Sequence, residues 1–546
     1  MTLTISSIQE AVAAAVPKRD AIVMGDTRLD YAGLTERTRR LANVLVGNDI
    51  TIHIERQELE NWEVGQDRVG LLMYNCPTYL EAMIATFKAR AIPFNVNYRY
   101  VGEELLYLFN DAQPTALVYH ACFADILAPV LAEIPSLRML IQVADGSGMP
   151  LLLGAVDYEA LLAASSGAPV PTTPSPDDIY CTYTGGTTGM LKGVLWRQED
   201  SIWENLNGRS LDGTALTDVD AFIERACAQK HQRNLPAPPF MHGAGCQTAL
   251  AALLAGNTVI IQEQVERLDV ADLARTVERH RADMLLIIGD AYGRPLLEEI
   301  RDGGHDWSSL GLLYNTGAIL SPPVKAALLE ALPGIKLLDA FGSSESGPQG
   351  FRLSDKSGEV RGARFRTSPA TVVLDEDLRT VLAPGHDGLG WVAKRGAVPY
   401  GYLGDEKKTR ETFPEIDGTR HLIGGDRVRL LDNGEIEFHG RESFTINSGG
   451  EKIFAEEVED AIKHHANVAD VTVTSRPSPR WGQEVVALVQ LRPGAAPDRD
   501  ALEAEAHRHI ARYKLPKAWL FVEAVQRGPS GKTDNRWAQS VAPDAT

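Results

Sequence analysis

The chain has no apolar run approaching the ~18 residues that a membrane-spanning helix needs. Its start, MTLTISSIQEAVAAAV, lacks the basic residues that open a secretory signal and reads as an amphipathic helix. The last residues, VAPDAT, match no peroxisomal or retention signal, so a cytoplasmic location is expected. Positive charge is short: 54 Lys and Arg against 73 Asp and Glu leave a formal charge of −19. That excludes the basic face a nucleic-acid partner requires. Cysteine is scarce. Cys76, Cys122, Cys181, Cys227 and Cys246 are odd in number and never at metal-ligand spacing, so buried free thiols are expected. Internal repeats are absent. A chain of 546 residues, 44% of them hydrophobic, is too long for one core, and two or more domains are expected.

From Asp67 to His120 short β runs (RVGLLMY, AIPFNVN, ALVYH) alternate with helical patterns (TYLEAMIATFKA, GEELLYLFNDA), which predicts α/β sheets. The rhythm resumes at NTVIIQ and continues through DMLLIIG, GLLYNTG and IKLLDAFG. From Thr371 to Phe438 the runs shorten and are broken by Gly and turn pairs, which predicts a small antiparallel β unit. After Arg441 the pattern is mixed α+β. The fold class is therefore α/β: a large N-terminal domain, residues 1–440, of two α/β lobes plus a small β unit, then a small α+β domain, residues 441–546, which the resemblance described below implies is mobile. Residues 47–64 and 207–233 carry no readable function.

The stretch CTYTGGTTGMLKGVLW is where chemistry first shows. Glycines let backbone N–H groups approach a phosphate, threonine hydroxyls add donors, and Lys192 adds charge. It is not a Walker loop, which would need Gly at Leu191 and Ser or Thr at Gly193.

The string TYTGGTTGMLKG resembles the phosphate loop of the adenylate-forming superfamily of acyl-CoA synthetases, luciferases and adenylation domains, with Leu191 where Pro is usual. Thr184, Gly185, Gly186, Thr187, Thr188, Gly189 and Lys192 would then hold phosphates. Further motifs follow in the family's order. PPFMHGAG puts His242 at the acyl pocket, and NTGAIL puts Gly317 and Ala318 against the adenine and acyl sites. DAFGSSESG resembles the Tyr-Gly-x-Thr-Glu motif. It implies that Asp339, Ala340, Phe341, Gly342 and Ser344 meet the nucleotide, Phe341 stacking on adenine, while Glu345 holds Mg²⁺. GGDRVRL supplies Asp426 for the ribose hydroxyls, with Gly425 where Ser or Thr is usual. GRESFTINSGGEKI supplies Arg441, a hinge near 441–443 with Ser443 at its centre, and Gly449 and Gly450 for the pantetheine arm of coenzyme A. Lys452 reads equally as a phosphate partner or a solvated lysine. PSGKTD supplies Lys532.

Read alone, His242 suits a core histidine, Glu345 a helix cap, Asp426 a turn and Arg441 a surface ion pair; for Arg441 and Lys532 the case rests on the resemblance. The chemistry it implies is coherent. A carboxylate attacking the α-phosphate of ATP gathers negative charge, so cations should surround it. Lys532, Glu345, Thr184 and His242 are the groups placed at the reacting atoms. A thiol must then reach the adenylate carbonyl, so Lys532 should move away. The resemblance thus implies an acyl-CoA ligase using ATP, Mg²⁺ and coenzyme A, with a homodimer common in the family. Carrier-protein-loading acyl-AMP ligases, luciferase-type oxygenases and a non-catalytic nucleotide-binding protein are the alternatives. VLWRQED and IIGDAYGRPLL, with Trp196, Asp290 and Arg294, resemble a bacterial branch acting on fatty and steroid side-chain acids. A pocket of Met241, His242, Ala244, Gly289, Gly317 and Ala318 would leave room for a bulky tail, such as a sterol side chain or an aryl-alkanoate.

Overall fold

The computed structural model describes residues 2–185, 191–209, 213–318, 320, 322–357, 364–441, 445–526 and 535–545. The first lobe holds a wholly parallel sheet in the order Ile92–Asn95, Arg68–Leu72, Ala116–His120, Met139–Val143, Ala155–Asp157. Its three inner strands are nearly all buried, as a sheet covered by helices on both faces requires. The helix Pro77–Lys88 starts with Pro in its first turn and buries nearly every residue between the two lobes.

The second lobe is a 14-stranded sheet. Its core is parallel, running from Asp20–Met24 through Thr258–Ile261, Arg233–Pro236, Met284–Ile287 and Leu312–Asn315 to Lys336–Ser343. Two features depart from a reading along the chain. The N-terminal strand Asp20–Met24 joins this second sheet, Ile22 pairing Val259, although it precedes the whole first lobe. The β unit expected between Thr371 and Phe438 is antiparallel but does not stand apart. Strand Gly347–Ser354 turns back along the open edge at Lys336–Ser343, and Arg364–Thr367 passes the ladder on to Ile436–Arg441. An uncovered sheet edge offers unpaired backbone groups, and the next strands of the chain take them.

Strands Ile179–Gly185, Leu191–Arg197 and Gly401–Tyr402 form a separate antiparallel sheet between the lobes. Beyond residue 445 a five-stranded sheet, with helices Ala455–Lys463 and Arg499–His509 on it, has its own core around Val458, Val471, Val485 and Val489. No helix among the described residues is long and apolar enough to cross a membrane. The thiols divide: Cys76, Cys181 and Cys246 are buried, but Cys122 and Cys227 are exposed, so the expectation of buried thiols fails for two of five.

Candidate active site

A cavity of about 250 Å³ opens where the C-terminal ends of the parallel strands from both lobes meet. Ligand sites of open α/β sheets gather at such ends. Thr184 reaches it from the end of Ile179–Gly185, Gly317 from the turn after Leu312–Asn315, and Gly342 and Ser344 from the end of Lys336–Ser343. His242 reaches it as the residue preceding helix Gly243–Leu254. The C-terminal unit supplies the remaining wall. The turn between Thr445–Ser448 and Glu451–Phe454 inserts Gly449, Gly450, Glu451 and Lys452. Gly450 has φ +88°, and a Cβ there would stand 2.8 Å from Ile288 Cγ2, so only glycine lets this backbone come so close. Met241 and Ala244 line the cavity as expected, while Gly289 and Ala318 are not among its walls. Ile288, Tyr292 and Tyr314 are, so the pocket is bulkier than its small residues suggested.

A charge cluster closes the junction. Glu451 ion-pairs with Arg99, and its Oε1 lies 3.1 Å from His242 Nε2. Burial alone would raise the Glu451 carboxyl, but the charges of His242 and Arg99 outweigh it and hold it at about 2. Beside it, Lys514 of the C-terminal unit donates to Glu104 and Glu457, both at 2.5 Å. Burial pushes the Glu457 carboxyl up to about 7, with Lys514 opposing and Glu104 adding to the shift. Neither Arg99 nor Glu451 was singled out from sequence. Glu451 sits inside the SGGEKI string, and Arg99 follows a parallel strand's C-terminal end; those positions were the available signals.

The other expected groups form a second cluster behind Ser344. Tyr402 Oη donates to Glu345 Oε1 at 3.2 Å, and Lys192 Nζ lies 5.1 Å from the centre of the Tyr402 ring. Burial and nearby Lys408 lower the Lys192 pKa, with Asp405 and Glu345 working against them. The Ser343–Gly347 turn is fastened from beneath. Trp196, fully buried, donates its indole N–H to Ser344 O at 2.8 Å, and buried Lys394 donates to Ser346 O at 2.5 Å. Trp196 is thus a brace for the Glu345 turn, while Asp290 and Arg294 form an ion pair at 2.8 Å along one helix, Arg294 half-exposed.

Phe341 packs against Phe365 and Phe438, with ring centres 5.5 and 5.2 Å away, and Ala340 is buried beside it. The Asp339 carboxylate ion-pairs with Lys325 and accepts from Asn315 Nδ2 at 2.9 Å. It is 5% exposed and outside the cavity wall, because the strand alternation turns the carboxylate inward, so only the backbone at this position faces the site side of the strand end. Asp426 is buried and pairs in register with Arg441 across two antiparallel strands. Gly425 has φ +82°, a backbone region that favours glycine. Gly185 ends its strand opposite Leu191. Gly186, Thr187, Thr188, Gly189, Ser443 and Lys532 lie outside the described residues.

Fold and cavity together define a two-part α/β protein whose cavity lies at the strand ends, where the C-terminal unit docks. The AMP-binding enzyme family matches residues 9–403, and the AMP-binding enzyme C-terminal domain matches residues 457–532; the chain belongs to this family. It is 49% identical over 540 residues to a medium-chain acyl-CoA ligase, Mig, of Mycobacterium avium, covering 99% of this chain and 98% of that protein. It is 37% identical over 549 residues to a 3-oxocholest-4-en-26-oate–CoA ligase of Rhodococcus rhodochrous, covering 99% and 96%. In fold it matches the amide bond synthetase McbA of Marinactinospora thermotolerans with a TM-score of 0.77 at 20% identity, over 98% of this chain and 99% of that one.

Proposed function

We propose the following substrate and division of labour for this acyl-CoA ligase. The protein activates a carboxylic acid with ATP to an acyl adenylate and passes the acyl group to coenzyme A, releasing AMP and pyrophosphate. Ligases of its family use ATP and coenzyme A. The acid is a medium- or long-chain fatty acid or a steroid side-chain acid. The names of the relatives from Mycobacterium avium and Rhodococcus rhodochrous support this.

Thr184, Lys192 and the glycine-rich loop bind the phosphates, and Asp426 with Arg441 bind the ribose. Phe341, Gly317 and Ala318 border the adenine, and Lys532 joins the carboxylate to the α-phosphate. One carboxylate, that of Glu345, is the sparse protein oxygen set Mg²⁺ takes when phosphates and water complete its shell. Glu345 would hold it, and it would neutralise charge on the phosphate oxygens. The domains divide at 440/441, and rotation about 441–443 exchanges Lys532 for the Gly449–Gly450 turn. The observation that carries this reading is that turn itself, which lines one cavity with Thr184, His242 and Gly317. In this reading the turn's glycines border the pantetheine arm, while Glu451, itself paired with Arg99, holds His242 at the point of thiol arrival. A cytoplasmic homodimer completes the reading; cell fractionation and light scattering check it.

The test mixes protein, ATP and Mg²⁺ with fatty, steroid side-chain and aryl-alkanoic acids, with and without coenzyme A. AMP and acyl-CoA should form with coenzyme A and an acid of the first two classes. Pyrophosphate release with no thioester would instead make a carrier protein the acceptor.

A further inference from the structure

Strand Ile179–Gly185 lies at the edge of its three-stranded sheet, so the outward backbone groups of Tyr183 need partners from elsewhere. Asn95 supplies both. Its Oδ1 accepts from Tyr183 N at 2.9 Å, and its Nδ2 donates to Tyr183 O at 3.0 Å. One amide side chain thus imitates the peptide of a neighbouring strand. The second hydrogen of Nδ2 goes to Met241 O at 2.6 Å, on the residue before His242. All three bonds are specified, so the orientation of the amide is fixed by its partners.

Asn95 is the last residue of Ile92–Asn95 and lines the cavity. The adjacent strand Arg68–Leu72 leads to a second, buried asparagine. Asn75 Nδ2 donates to Pro238 O at 3.0 Å, and its Oδ1 accepts from Phe240 N at 2.6 Å. The turn that presents His242 therefore hangs on two asparagines of the other lobe. Only Asn95 also touches the strand that presents Thr184. That amide hydrogen-bonds the Thr184 wall and the His242 wall at once, at the cavity end of both.

We propose that Asn95 is a positioning residue for acyl activation and transfer, holding Thr184 and His242 in register across the cavity. This rests on the ligase reading, and an error of about 1 Å in such spacing costs on the order of 100-fold in rate. The substitutions Asn95→Asp and Asn95→Leu separate positioning from folding. An ionised Asp faces two carbonyls it cannot donate to; a protonated Asp regains one donor. At pH 8 both variants should lose roughly 10- to 100-fold in kcat/KM for the acid. Between pH 8 and pH 6 the Asp variant should recover several-fold relative to wild type, through kcat, while the Leu variant stays flat. Melting curves of all three proteins report the folded fraction at each pH. Wild-type kcat/KM in both variants overturns the proposal. So does a loss that follows the folded fraction alone, or identical pH profiles for Asp and Leu. If wild type itself makes no thioester from any acid, the ligase reading fails, a result separate from the comparison among variants.

Discussion

The two walls of the cavity are made of different materials. On the large-unit side the wall is strand ends and close-approaching backbone: Thr184, Gly317, Gly342 and the turn fastened by Trp196. Where the C-terminal unit docks, the wall is charge: Arg99 with Glu451 and His242, and Lys514 between Glu104 and Glu457. The first material suits phosphates, whose oxygens want fixed donors that cost no rearrangement. The second suits a contact that must form and release, because ion pairs are specific in register yet roughly balanced against desolvation. Adenylation should therefore depend on the first wall and on Lys532, and thioester formation on the second.

The strongest way to break this comparison is Lys532→Ala. It should lower adenylation by on the order of 10³-fold, seen by pyrophosphate exchange, and leave thioester formation from a supplied acyl adenylate within a few-fold. Glu451→Ala is expected to do the reverse. It leaves Arg99 and His242 facing an empty partner, and loss of one member of a buried ionic cluster costs about 3–5 kcal/mol in the docked pose. Thioester formation should fall by on the order of 10²- to 10³-fold and pyrophosphate exchange by less than about 3-fold.

A pH series sharpens the same contrast. Burial and the like charge of Glu104 raise the Glu457 carboxyl to about 7, above its ordinary value, so a pose that parts Glu457 from Glu104 should bind less of that proton. Its contribution to docking is fully present below the ordinary carboxylate range and is lost as pH rises through about 7. Thioester formation should decline several-fold relative to pyrophosphate exchange between pH 6 and pH 8. Glu104→Gln removes the like charge and should flatten that decline. The smallest effect is expected at Arg28, whose side chain is 53% exposed in its ion pair with Asp20. Arg28→Ala should change stability by less than about 1 kcal/mol in a denaturant melt.

The same two materials explain what could be read from sequence. The glycine-rich loop, the Ser344–Glu345 string and the Gly449–Gly450 string are each contained within a dozen neighbouring residues, so their resemblance to family motifs could be read from the sequence. Nearly every predicted strand of the α/β units exists, because buried parallel strands are continuous apolar runs. The charge cluster is different. Arg99 and Glu451 are 352 residues apart, and Glu104 and Lys514 are 410 apart. Each reads alone as an ordinary surface charge and acquires meaning only when the C-terminal unit docks. Asn95 was hidden for a related reason. A side chain that replaces a strand partner leaves no period or motif. Asp339 is the opposite case, since it lies inside a family motif while its carboxylate pairs with Lys325 in the core.

The most direct test of the account is Gly450→Ala, measured in both half-reactions. The added Cβ would stand 2.8 Å from Ile288, at a φ of +88° that side chains rarely adopt. If the turn closes the cavity only for thioester formation, pyrophosphate exchange stays near wild type while acyl-CoA formation from supplied acyl adenylate and coenzyme A falls by about 10-fold or more. Equal losses in both half-reactions, or none in either, would contradict the division of labour between the two walls.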